Sequence, residues 1–139
     1  MCFNNKVVWI TGASSGIGEA LAYEFAQQGA RLVLSARRTD VLEQVKAKCK
    51  NPSQHLVLPM DMTDPNRFAE LVLHVESHFG AVYMLINNAG VSQRALVKDT
   101  ILSVDRTLME VDYFGPVALT KILLPYMLAR NSGRLVAVS

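Results

Sequence analysis

Only two cysteines, Cys2 and Cys49, occur in the 139 residues, and their spacing forms no disulfide framework. That favours a reduced compartment over a secreted one. No apolar run approaches the ~20 residues needed to cross a bilayer. No signal-peptide or lipidation pattern precedes the strand-like segment that follows Met1-Cys2-Phe3-Asn4-Asn5-Lys6. A dominant charge is missing too: 14 Lys+Arg against 12 Asp+Glu leave a formal +2. Scattered charges of this kind argue against nucleic acid or an anionic membrane as partner. Linkers, repeats and low-complexity tracts are also absent. What is abundant is apolar: 50% of the residues are hydrophobic, which excludes disorder. The length suits one domain, residues 1–139, with a core of its own. A soluble cytoplasmic protein is expected.

Two kinds of segment alternate. Short β-branched runs fall at Lys6–Thr11, Arg31–Ser35, Leu56–Leu58, Met84–Ile86 and Arg134–Ser139. Between them the spacing is helical. From Gly16 to Gln28, an apolar stripe of Ile17, Ala20, Leu21 and Phe25 predicts a first helix that Gly29 stops. Thr39 is expected to cap a second helix, with Leu42, Val45 and Cys49 on one face. Asp64 as N-cap and Pro65 as first helical residue open a third. Its stripe of Phe68, Leu71, Val72, Val75 and Phe79 ends at Gly80. A fourth helical stretch covers roughly Ile101 to Ala129, and Pro116 and Pro125 predict a kink or break in it. Strands joined by helices of this length form a parallel sheet through right-handed crossovers, with helices on both faces.

Thr11-Gly12-Ala13-Ser14-Ser15-Gly16-Ile17-Gly18 closes the first strand and opens the first helix. Gly12 permits a sharp turn, Gly16 lets backbone approach a diphosphate, and Gly18 allows close helix–sheet packing. Free amides and the positive end of the helix dipole then hold the phosphates. An acidic residue ending the second strand would bond an adenosine 2′-hydroxyl, but this chain has Ser35-Ala36-Arg37-Arg38. Guanidinium groups pair with a 2′-phosphate in fork geometry, and Ser14 is positioned to add a hydroxyl, so NADP is expected over NAD.

With Asn87-Asn88-Ala89-Gly90 ending the fourth strand and Asp61-Met62-Thr63-Asp64 after the third, nearly the whole chain resembles the short-chain dehydrogenase/reductase family. The resemblance implies a doubly wound Rossmann-type fold that moves a hydride between NADP(H) and an alcohol or carbonyl substrate. It implies a cofactor site of Gly12, Ser14, Ser15, Gly16, Ile17, Gly18, Arg37 and Arg38. Asp61 and Met62 would sit at the adenine, and Asn88, Ala89 and Gly90 at the ribose and nicotinamide. Asn87 would brace the central strands.

The family's Tyr-x-x-x-Lys pair does not occur in the 139 residues. The nearest match, Tyr126 with Arg130, reads as packing plus a surface charge. Where the family places a catalytic asparagine, this chain has Asp112, which is expected to modify the proton relay through its side chain while its backbone carbonyl still holds a water. Ser139 matches the position just before the family's catalytic serine. The fold is therefore expected to be incomplete after the fifth strand, leaving that strand's apolar edge exposed and the reading frame longer, or the chain associating there. Relatives form oligomers through the fourth long helix, where Leu119, Ile122 and Leu123 suit either an interface or the chain's own core. A non-catalytic NADP-binding module or an inactive fragment is the competing reading. Glu70, His74 and His78 share a helix face but read as a solvated one, with no metal site expected. Trp9 reads as core, and Ser92, Gln93 and Arg94 read as an ordinary loop at a place where relatives often have a substrate-side one.

Overall fold

The computed structural model describes residues 3–89 and 101–138 of the chain. Five parallel strands form one sheet: β1 (Val7–Thr11), β2 (Arg31–Ser35), β3 (Leu56–Val57), β4 (Val82–Asn87) and β5 (Arg134–Ala137), in the order β3-β2-β1-β4-β5. The helices are α1 (Gly16–Gln27), α2 (Thr39–Lys48), α3 (Phe68–His74), α4 (Leu102–Met109) and α5 (Gly115–Ala129). All five residues of β1 are buried, as expected for a central parallel strand covered on both faces. The register pairs Val8 with Leu32 on one side and with Met84 on the other.

Alternation along β1 divides the interior into two layers. Val7 and Trp9 face a core shared with Val33, Leu85, Phe68, Val72, Leu119 and Leu123. Val8 and Ile10 face another, with Leu32, Leu34, Ile86, Ala22, Ala26 and Leu42. Trp9 is fully buried, and its indole N–H donates to Ser35 Oγ at 2.9 Å, so no polar group is stranded there. Leu119 and Leu123 thus belong to the chain's own core.

Several local expectations change. The buried face of α1 consists of Gly18, Ala22 and Ala26, whereas Ile17 is 58% exposed and Ala20 also faces out. Small residues let the helix axis come close to the sheet, and that proximity outweighs the burial of larger side chains. Arg38, not Thr39, is the N-cap of α2. Asp64 makes no side-chain cap; Pro65–Arg67 form a single 3₁₀ turn leading into α3, which continues as a π-turn over Val75–Phe79. The fourth stretch does not break at its prolines. Pro116 lies in the first turn of α5 and Pro125 within it, while the irregularity is a π-turn at Glu110–Phe114 between α4 and α5.

Arg130 is also not a surface charge. It pairs with Glu76 at 2.8 Å, with side-chain exposures of 27% and 8%, and it donates to the Val82 carbonyl. Glu76 accepts in turn from the Val82 amide, so the pair fastens α5 and the π-turn after α3 to the start of β4. The rings of His74 and His78 stack at 5.1 Å instead of converging on a common point, and Glu70 pairs with Arg67. Every residue of β5 is exposed, with Leu135 and Val136 at 43% and 38%, so the outer edge of the sheet is open among the described residues. No helix among the described residues is long and apolar enough to cross a membrane.

His55 is buried between α2 and β2. Its Nδ1 accepts the Leu32 amide at 3.1 Å, and its Nε2 meets the Lys50 carbonyl at 2.8 Å. Both bonds are satisfied only by the neutral ring protonated on Nε2. Burial holds the imidazole below its ordinary value, assisted by the charges of Lys46 and Arg31 and opposed by the bond to Lys50. The folded form resists a proton that the unfolded chain accepts, so this contribution is complete above about pH 6.5 and is lost as pH falls through the depressed folded value. Urea midpoints should therefore drop between about pH 7.5 and pH 5, and drop less in His55→Asn, whose amide oxygen can accept from Leu32 at either pH.

Candidate functional site

A cleft of about 530 Å³ opens above the carboxyl ends of the strands, where the order reverses between β1 and β4. Ligands of open parallel sheets bind at such a switch point. Four chain turns supply its walls. The turn after β1 brings Gly12, Ser14, Ser15 and Ile17; the end of β2 brings Arg37 and Arg38; the turn after β3 brings Asp61 and Met62; and Asn88 and Ala89 follow β4. These are the positions singled out in the sequence.

The first turn is built from unusual backbone. Gly12 and Gly16 have φ of +63° and +57°, where a Cβ is strained. A Cβ on Gly12 would sit 2.8 Å from Ala89 Cα, whereas one on Gly16 would meet nothing within 4 Å. Gly12 thus permits close approach of two turns, and Gly16 serves the left-handed bend. Gly18 lies beneath the cleft, where a Cβ would run into the Gly12 carbonyl oxygen and lie 2.6 Å from Asn88 Nδ2. Ser15 is the N-cap of α1 but makes no side-chain cap, so no cap side chain occupies the first-turn amides.

Thr11 ties the two central strands together at the same end. Its fully buried hydroxyl accepts the Asn88 and Ala89 amides, each at 3.0 Å, and donates to the Ile86 carbonyl at 3.3 Å. Asn88 Nδ2 donates to the Gly12 carbonyl at 3.2 Å, closing the contact from the other side. Asn87 Nδ2 reaches Thr120 Oγ1 on α5 at 3.1 Å, linking β4 to that helix. Thr11 had no role assigned from sequence, although a threonine as the last residue before the glycine turn is a visible signal.

At the opposite end, Asp61 Oδ1 accepts from the Thr63 hydroxyl at 2.7 Å and from the Thr63 amide at 2.9 Å. The Thr63 hydroxyl, then its amide, then the charge of Arg37 hold this carboxyl below the usual carboxylate range. Asp61 is therefore both a turn-forming residue and part of the wall. Arg37 and Arg38 are exposed, and Arg38 Nη2 pairs with Asp40 Oδ2 at 2.9 Å.

Thr107 and Val111 complete the lining from α4 and the π-turn that follows. Sequence reasoning missed them, although their four-residue spacing puts them on one helical face. Asp112, next to Val111, is an exposed residue of the same π-turn and does not line the cleft. Gly90, Ser92, Gln93, Arg94 and Ser139 lie outside the described residues.

The profile of the family described as short chain dehydrogenase matches residues 6–139. Human dehydrogenase/reductase SDR family member 7 is 48% identical over 140 residues, covering 97% of this chain and 41% of the relative. The chain thus spans less than half the length of that curated relative. Among solved structures, a short-chain dehydrogenase from Streptomyces avermitilis superposes with a TM-score of 0.90 at 37% identity, covering 100% of this chain and 50% of the other. A metagenomic short-chain oxidoreductase in complex with NADP also gives a TM-score of 0.90, at 27% identity, covering 100% of this chain and 64% of that one.

Proposed function

Since the chain belongs to the short-chain dehydrogenase family, we propose that its cleft binds NADP(H) and that the protein moves a hydride between this cofactor and an alcohol or carbonyl substrate. One observation carries the reading: uncapped first-turn amides of α1 and two arginines border the same cleft. Amides at a helix start suit a diphosphate, and guanidinium groups suit an added phosphate. Gly16 keeps the backbone of this turn open to a ligand, because nothing lies within 4 Å of the place its Cβ would take.

In this reading, Gly12, Ser14, Ser15, Gly16 and Ile17 hold the diphosphate side, with Gly18 allowing the close packing beneath. Arg37 and Arg38 take the 2′-phosphate. Asp61 and Met62 border the adenine, and Asn88, Ala89 and Gly90 border the ribose and nicotinamide. When bound, the nicotinamide supplies or accepts the hydride. The chain's own contribution is to bind and orient it. Asp112 occupies the asparagine position of the family, but it does not line the cleft and takes no part in holding the cofactor here. The 139 residues contain no Tyr-x-x-x-Lys pair, so no proton donor is assigned to them.

Fluorescence titration of the folded chain with NADPH and NADH tests the reading. Loss of one charge-assisted contact, about 1.5–3 kcal/mol, predicts that Arg37→Met weakens NADPH at least about tenfold. NADH should barely change. Equal affinity for the two coenzymes in the unmodified chain, or no titration of either, overturns the reading. NADPH binding without carbonyl reduction by the whole protein would favour a non-catalytic binding module.

A further inference from the structure

We propose that Asp40 limits the selectivity of this site for NADP(H), by competing with the adenosine 2′-phosphate for the guanidinium of Arg38. The inference rests on the NADP(H) reading above and refines it. The two arginines of the pair are not equivalent. Arg38 already donates to a carboxylate, at 2.9 Å between Nη2 and Asp40 Oδ2. Arg37 makes no ion pair among the described residues. The acid nearest to it in the cleft wall, Asp61, directs Oδ1 to the amide and hydroxyl of Thr63. A phosphate entering the cleft therefore meets one available guanidinium and one that is already engaged.

Chain geometry explains why Asp40 holds this position. Arg38 is the N-cap of α2 and Asp40 lies in its first turn, where helix amides and the dipole favour a negative side chain. Its carboxyl is held below the usual range by the bond from Arg38 first, and then by that charge and the amides of Val41 and Asp40 itself. Asp40 thus remains ionised through the neutral range. It leaves two negative groups, its own carboxylate and an incoming 2′-phosphate, sharing one cation. The pair is open to solvent, with side-chain exposures of 72% and 63%, so the phosphate can displace the carboxylate, but against a penalty. NADH has a neutral hydroxyl at the same place and incurs no such competition. The effect of Asp40 is therefore confined to the phosphorylated coenzyme.

Removing the competitor should show this. Titrating NADPH and NADH into the chain, Asp40→Asn, Arg38→Met and the double variant gives a thermodynamic cycle on binding. Asp40→Asn should tighten NADPH about two- to fivefold and leave NADH nearly unchanged, the size expected for releasing an exposed ion pair. The gain should fall below about twofold when Arg38 is already methionine, because the two sites are then no longer coupled. Asp40→Ser provides a second neutral replacement, and melting curves show that each variant is folded. An NADPH affinity unchanged by both replacements overturns the proposal. So does an equal gain for NADH, or a gain that persists undiminished in the Arg38→Met background. Failure of the unmodified chain to prefer NADPH reads out separately: it overturns the NADP(H) reading and this proposal with it.

Discussion

Gly18→Ala should cost the chain at least about 3 kcal/mol, the upper end of the overpacking range, and abolish coenzyme titration. The added methyl group would meet the backbone carbonyl oxygen of Gly12 and the side-chain amide nitrogen of Asn88. Gly12 is itself held at φ +63° against Ala89, and Asn88 is bonded to both Gly12 and Thr11. Relief must therefore come from α1 lifting off the sheet, which opens contacts at Ala22 and Ala26 and tilts the first-turn amides away from the cleft. Urea unfolding reads the first effect and NADPH fluorescence the second. Unchanged stability would mean that the turn is far softer than its bonds indicate. Gly16→Ala provides the contrast. It strains φ but collides with nothing, so its stability loss should be about 1 kcal/mol.

Thr11→Val should lower stability by about 2–4 kcal/mol, because it strands the amides of Asn88 and Ala89 while leaving side-chain shape nearly unchanged. A buried donor without a partner forfeits its hydration, and valine offers nothing in return. Thr11→Ser retains the acceptor and should recover most of the loss. If serine and valine behave alike, the deficit arises from packing of the methyl group. Coenzyme affinity should follow the same order, because the two amides set the position of the turn after β4 that borders the cleft.

Most of the layout is legible in the amino-acid sequence. The Gly12–Gly18 turn, the Arg37-Arg38 pair and the Asn87-Asn88-Ala89 run each sit at the end of a β-branched segment, and a parallel sheet necessarily gathers such ends on one rim. What escapes the sequence depends on neighbours distant along the chain. Thr11 acts as it does only because β4 lies beside β1, a matter of strand order. Arg130 meets Glu76 across 54 positions, and no periodicity announces that pairing. The inner face of α1 is hidden from the sequence because apolar size is a poor guide where backbone proximity is at a premium. There Gly18, Ala22 and Ala26 outrank Ile17. Similarly, Thr107 and Val111 reach the cleft only through the course of α4 and the π-turn after it, a property of tertiary packing.

The strand order carries a kinetic consequence during synthesis. Of the five strands, β1 leaves the ribosome before the others, yet one of its two partners is β4, with Thr11 and Ile86 separated by 75 positions. At about 5–20 residues per second, β2 arrives within a few seconds, while the other flank of β1 waits roughly 4–15 s. Throughout that interval a strand whose five residues are all buried in the finished fold is sealed on one side only. A chaperone capable of shielding Val7–Thr11 would find its window there, before β4 emerges.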